Sequence, residues 1–163
     1  MELDECVNLI AASPACVLHP PAGMPDIPPP LILPDDVRMF YERAGGAILF
    51  RDEPYDIEIV RPEDFVRGNP EILQDPAEYD ISHNWFIVAK SEPQYITIDL
   101  APGRLGRCYD SFWETHALRG DTAIIARSFT ELLVHLLKAE GQGLYWLADD
   151  FESRGDAYDG VPE

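Results

Sequence analysis

LPDDVRMFYERAGG, residues 33–46, carries the clearest helix start and stop in the chain. Pro34 is placed for the first turn of a helix, and the two aspartates that follow it suit the positive end of a helix dipole. One apolar stripe runs along this helix and consists of Leu33, Val37, Phe40, Tyr41 and Ala44. Gly45-Gly46 predicts the end of the helix, because glycine adopts a left-handed conformation without strain.

Two further helices are predicted, one on each side of this segment. Toward the C-terminus, Ser128-Phe129-Thr130-Glu131 is a capping box, followed by leucines on one helical face and by Gly141 and Gly143. The serine oxygen is expected to accept from the third helical amide, and the glutamate is expected to reach back to the cap. Toward the N-terminus, residues 3–12 place four apolar residues at helical spacing before Pro14.

Short strands are predicted between the second and third helices, at residues 47–50, 55–60, 84–89, 94–100, 106–110 and 122–126. Alternation of apolar and polar residues is clearest at 55–60 and 94–100. Asp56 and Glu58 are expected to project from the open face of their strand, and Tyr55 is expected to pack on the opposite face. Short turns between consecutive strands favour antiparallel pairing, and the chain is therefore predicted to be an α+β protein with helices covering one side of the sheet.

The length of 163 residues suits one domain with a real core. We divide this domain, residues 1–163, into an N-terminal helix at 1–13, a proline-rich connector at 14–33, a core at 34–147 and an acidic tail at 148–163. Eight of the 15 prolines lie between Pro14 and Pro34, which predicts an extended connector.

The formal net charge of −18 restricts the partners that this chain can attract. Nucleic acid and anionic membrane would both be repelled, whereas a basic protein would be attracted. The alternative is that the acidity only keeps the protein soluble. The first residues are acidic and no apolar run approaches a membrane span, so we expect a cytoplasmic protein without a membrane partner. Three cysteines without close pairing predict free thiols.

Arrangements typical of enzymes are weak in this sequence. Cys108, Asp110 and His116 are close along the chain, but a triad is defined by position in space. None of the four histidines has metal-ligand spacing with cysteines or acids, so we predict no metal and no cofactor. Residues 103–107 contain glycines and arginines but do not match a phosphate-binding P-loop, and a tight turn before a strand explains the glycines.

Two stretches resemble the SMI1/KNR4, or SUKH, superfamily. Residues 33–41, closing on Gly45-Gly46, are similar to its "LP-x-x-aromatic, then Gly-Gly" helix, and residues 124–133 are similar to its closing strand and helix. Residues 98–100 and 106–109 lie where the family has its "I-x-D" and "G-x-V/I-Y" strands. The resemblance implies a twisted, mainly antiparallel sheet with helices packed on it. It also implies binding and not catalysis, since bacterial members are mostly immunity proteins of polymorphic toxin systems and fungal relatives are scaffolds.

These observations lead to a functional prediction. We expect an immunity protein that acts as a monomer and neutralises a cognate toxin, a basic nuclease domain, by occluding it. The alternatives are a non-catalytic adaptor that binds a host protein and an unrecognised hydrolase. The predicted partner-binding residues combine the acid-rich region 51–80, an aromatic anchor and the acidic tail: Asp52, Glu53, Asp56, Glu58, Glu63, Asp64, Trp113, Asp149, Asp150 and Glu152.

Overall fold

Seven short strands pair in the order in which they occur along the chain, and every pairing is antiparallel. The computed structural model describes all residues, 1–163. The strands are β1 (Val17–Leu18), β2 (Ala47–Leu49), β3 (Ile57–Ile59), β4 (Trp85–Ser91), β5 (Gln94–Asp99), β6 (Cys108–Asp110) and β7 (Ile124–Ala126). The α+β prediction is confirmed, although most strands are shorter than expected.

Three helices cover one face of the sheet: α1 (Leu3–Ala12), α2 (Asp35–Arg43) and α4 (Phe129–Ala139). They contact one another, and the main hydrophobic core of 29 buried residues lies between them and the sheet. The rings of Phe40 and Phe129 meet edge to face with their centroids 5.3 Å apart, which joins α2 to α4. No helix of the structure has the length and apolarity needed to cross a membrane.

A carboxylate on α2 caps the first turn of α4. Asp36 Oδ2 accepts hydrogen bonds from the Thr130 backbone amide at 2.8 Å and from its hydroxyl at 2.9 Å. Ser128 Oγ accepts from the Glu131 amide as the capping box predicts, but the Glu131 carboxylate accepts from the Arg127 amide and not from that of Ser128. The Asp36 contact therefore joins the two sequence motifs, because a residue of the first motif accepts hydrogen bonds from the second.

The Gly45-Gly46 pair allows the connector to pass the end of α2. Gly46 has φ of +112°, and a Cβ there would lie 2.8 Å from the Ile59 carbonyl oxygen. The backbone of His19 exchanges 2.9 Å hydrogen bonds with both glycines, and β1 continues this pairing along β2. The connector was predicted only as extended chain, because a two-residue strand leaves no periodic pattern.

The three predicted helices cover one side of the sheet, and the structure adds one short helix on the other side that was not predicted. The short helix α3 (Gly68–Ile72) packs on the second face, where a Cβ added at Gly68 would lie 3.2 Å from Thr97 Cγ2. A small apolar cluster extends this covered region, and its buried members are Trp85, Tyr109, Ile124, Ala157 and Tyr158.

Asp99 lies beneath this cluster and is fully buried. Its carboxylate accepts from Trp85 Nε1 at 3.1 Å, from the Tyr109 hydroxyl at 2.5 Å and from Arg104 Nε at 3.2 Å. Burial raises the pKa of Asp99, and the hydrogen bonds from Tyr109, the Ala101 amide and Arg104 oppose the increase. The "I-x-D" strand therefore has a structural reason, because this aspartate joins β4, β5 and β6.

The acidic C-terminal segment folds back onto the second face. The Asp156 carboxylate accepts from the backbone amides of Gly120 and Thr122 at 3.0 and 2.9 Å. The Tyr158 hydroxyl donates to Asp80 at 2.7 Å. Burial by itself would raise the pKa of Asp80, but the hydrogen bonds from Ser82 and Tyr158 outweigh burial and lower that pKa. These acids therefore stabilise the fold.

Candidate partner-binding surface

Part of the second face of the sheet remains uncovered. Ile48, Glu58, Lys90 and Tyr95 are cross-strand neighbours on β2 to β5, and all four side chains are partly exposed. The 3-10 turn Pro62–Asp64 and helix α3 border this region on one side. We call this region the open face.

Acidic side chains surround the open face. Three adjoining concavities cover it, and all three share Glu92 at the β4–β5 turn. Their carboxylates belong to Asp56, Glu58, Glu63, Asp64, Glu71 and Glu92, whereas their only bases are Arg51 and Lys90. Lys90 forms one ion pair there, 3.9 Å from Glu92. The surface therefore has an excess of negative charge, with which a basic partner is complementary.

Two aromatic side chains lie within this acidic surround. Trp113 has 52% of its surface exposed, and its backbone amide donates to the Pro93 carbonyl at 3.3 Å, which positions it beside the β4–β5 turn. Partial burial, with the nearby charges of Glu92 and Glu71, raises the pKa of Tyr95. An exposed tryptophan beside a concave surface is the type of residue that dominates binding energy at protein interfaces.

The open face brings together half of the predicted partner-binding residues: Asp56, Glu58, Glu63, Asp64 and Trp113. The prediction for Tyr55 is wrong, because its side chain is 49% exposed in the turn before β3. Sequence reasoning omitted Glu92 and Tyr95 from the site. The alternation of β5, which places Tyr95 opposite to Ile96, is the pattern that could have indicated Tyr95.

The remaining predicted residues lie elsewhere. Asp52 and Glu53 are exposed in the β2–β3 connection, where Glu53 Oε2 accepts from Gln142 Nε2 at 2.7 Å. Asp150 and Glu152 line a separate cavity of about 560 Å³ at the end of α4, and Asp149 is exposed beside them. His135, Lys138 and Arg154 also line this separate cavity, so it lacks the excess of negative charge found at the open face.

The residues considered for catalysis do not come together. Cys108 is fully buried, and burial raises the pKa of its thiol, which disfavours the thiolate. His116 Nε2 bonds Asn69 Oδ1 at 2.7 Å, and Asp110 accepts from Gln94 at 2.7 Å. No group of three or more metal-ligating side chains is present in the structure.

Comparison with known proteins agrees with this architecture. A family model described as SMI1 / KNR4 family (SUKH-1) matches residues 31–135. The chain is also similar to "Immunity protein YokJ" of Bacillus subtilis (strain 168), with 44% identity over 162 residues. That alignment covers 99% of this chain and 98% of the relative. The chain therefore belongs to the SMI1/KNR4 (SUKH-1) family.

Proposed function

We propose that this chain, residues 1–163 acting as one domain, is a cytoplasmic, monomeric immunity protein that binds and neutralises a cognate toxin without catalysing a reaction. The observation that carries this proposal is the 44% identity, over nearly the full length of both chains, to a relative named as an immunity protein. A shared fold alone would not support a function, because one fold serves many. The length of the alignment extends the likeness to the surfaces that lie outside residues 31–135.

We further propose that the toxin is a basic nuclease domain and that the open face is the primary docking surface. A nuclease presents positive charge to its substrate, and a protein with a net charge of −18 is attracted to that charge. By docking on that positive surface of the toxin, this protein would exclude nucleic acid from the toxin's substrate-binding site. Long-range attraction accelerates encounter, and the fully desolvated contacts near the centre of the interface supply most of the affinity.

Trp113 is the proposed anchor of that interface. It stands between acids of α3 and of the β4–β5 turn, so a bound partner would cover it while basic side chains reach Glu71 and Glu92. The acids Glu63 and Asp64 would then form part of the rim. Asp52, Glu53, Asp149, Asp150 and Glu152 remain proposed as outer contacts that attract the partner without a central role.

Co-expression with the toxin tests this proposal. The toxin domain encoded beside the gene would be expressed in a bacterial host with this protein, and growth would be measured. Glu63→Lys is expected to reduce protection, because it reverses a charge on the rim of the open face. Asp26→Lys is the matched control, since it makes the same charge change at an exposed connector residue. Equal protection by both variants would remove the open face from the proposal, and no protection by the wild type would favour an adaptor.

A further inference from the structure

A cavity of about 470 Å³ beside β6 and β7 is unusually rich in arginine. Arg104, Arg107, Arg127 and Arg154 line it, and they are four of only 12 lysines and arginines in the chain. None of its lining residues belongs to the three concavities of the open face that share Glu92. The proposed toxin contacts therefore do not explain this concentration of positive charge.

Two of these arginines have no partner in the protein. Arg107 directly precedes Cys108, and Arg127 directly follows Ala126, which is the residue paired with Cys108 between β6 and β7. Arg107 and Arg127 consequently lie on neighbouring chain segments at the end of one strand pair, and both line the cavity. Neither forms an ion pair or a side-chain hydrogen bond. Within the protein, no acid is paired with either of these two positive charges.

The other charged groups of the cavity are already engaged. Arg104 pairs with the buried Asp99 at 3.2 Å, and Arg154 pairs with Glu131 at 2.7 Å. The two acids of the cavity accept backbone hydrogen bonds: Asp156 accepts from Thr122 at 2.9 Å, and Asp159 accepts from Asp156 at 2.9 Å. Neither acid forms an ion pair with an arginine of the cavity.

We propose that this cavity binds a phosphate group, either as inorganic phosphate or as the phosphate of a small monoester such as a nucleotide. Two guanidinium groups that line one cavity and are not engaged within the protein can each donate to different oxygens of one tetrahedral anion, and their two positive charges match a phosphate dianion. The ligand must be small, because an extended nucleic acid would meet the acidic surface of the rest of the chain. The site differs from a P-loop because its donors are side chains.

Titration calorimetry of the full chain in a phosphate-free chloride buffer tests this inference. Inorganic phosphate and adenosine monophosphate would be titrated separately, and the stronger ligand identifies the source of the phosphate group. The double variant Arg107→Gln with Arg127→Gln is expected to weaken binding by at least about tenfold, because it removes two charge-assisted contacts. The matched control is Arg38→Gln with Arg43→Gln, which removes the same charge from exposed arginines on α2.

A second readout separates binding from structural support. Without phosphate, the Arg107/Arg127 double variant is expected to be at least as stable to urea as the wild type, since neither guanidinium group bonds another group of the protein. Phosphate is expected to raise the melting temperature of the wild type and of the control, but not that of the double variant. Absence of saturable binding by the wild type, unchanged binding by the double variant, or a loss of its stability in phosphate-free buffer would each overturn the inference.

Discussion

Replacement of His116 by glutamine is predicted to make the protein less sensitive to acid. His116 is 2% exposed, and its Nε2 lies 2.7 Å from Asn69 Oδ1. Asn69 Nδ2 donates to Ser82 and Pro76, so its Oδ1 is an acceptor and His116 Nε2 carries the proton. Nδ1 is buried without a hydrogen-bond partner, and protonation would place a charge there.

The size of the effect follows from the pKa of His116. Burial lowers the pKa from 6.5 to about 4, although the charge of Asp80 opposes this decrease. The unfolded chain therefore binds the proton more tightly, and folding loses free energy as the pH falls from about 6.5 through about 4. One pKa unit corresponds to about 1.4 kcal/mol, which gives a loss of about 2 kcal/mol by pH 5 and about 3 kcal/mol by pH 4.

Urea unfolding at pH 7, 6, 5 and 4 would measure this loss for the wild type and for His116→Gln. Glutamine can still donate to Asn69 but does not titrate. All carboxylates titrate in both proteins, so their contributions cancel in the difference between the two free energies of unfolding. We expect this difference to move by about 2 kcal/mol in favour of the variant between pH 7 and pH 5. A difference that stays constant over this range would refute the burial of a neutral histidine.

Three substitutions test other parts of the account. Asp36→Ala should lower the free energy of unfolding by about 1–2 kcal/mol in urea, because the amide and hydroxyl of Thr130 in the first turn of α4 lose their acceptor. Asp35→Ala changes a side chain that is 91% exposed and should alter the free energy of unfolding by less than about 0.5 kcal/mol. Gly46→Ala should lower the free energy of unfolding by about 2 kcal/mol or more, since φ is +112° and the new Cβ would lie 2.8 Å from the Ile59 carbonyl oxygen. An unchanged urea midpoint would contradict this expectation. Trp113→Ala should leave stability within about 0.5 kcal/mol but weaken toxin binding by about 30-fold, and unaltered affinity would exclude it as an anchor.

The helices could be predicted from the sequence because local patterns define them. The bounds of α1 agree with the predicted residues 3–12, and the capping box correctly places the start of α4. Helix α3 was missed, because five residues that include Pro70 contain too few turns for an apolar stripe to be recognised. Strand centres were also found, whereas their ends depend on pairing partners that are distant along the chain.

The candidate site was only partly predictable, for a different reason. Acidic composition indicated Glu63 and Asp64 as candidates, but it could not separate them from Asp80, whose carboxylate accepts hydrogen bonds from Ser82 and Tyr158 within the fold. Periodicity gives the face of a strand but not what covers that face. Long-range contacts place the C-terminal segment on the second face and leave another part of that face open. No short sequence window contains both partners of such a contact.

Titration calorimetry between this protein and the toxin domain encoded beside its gene, at low and at high salt, would test the immunity function. We expect nanomolar binding that weakens by roughly tenfold or more as salt screens the charges, together with loss of the toxin's activity in the complex. Absence of a complex would contradict the immunity function. Tight binding that does not change with salt would contradict the proposed role of the acidic open face.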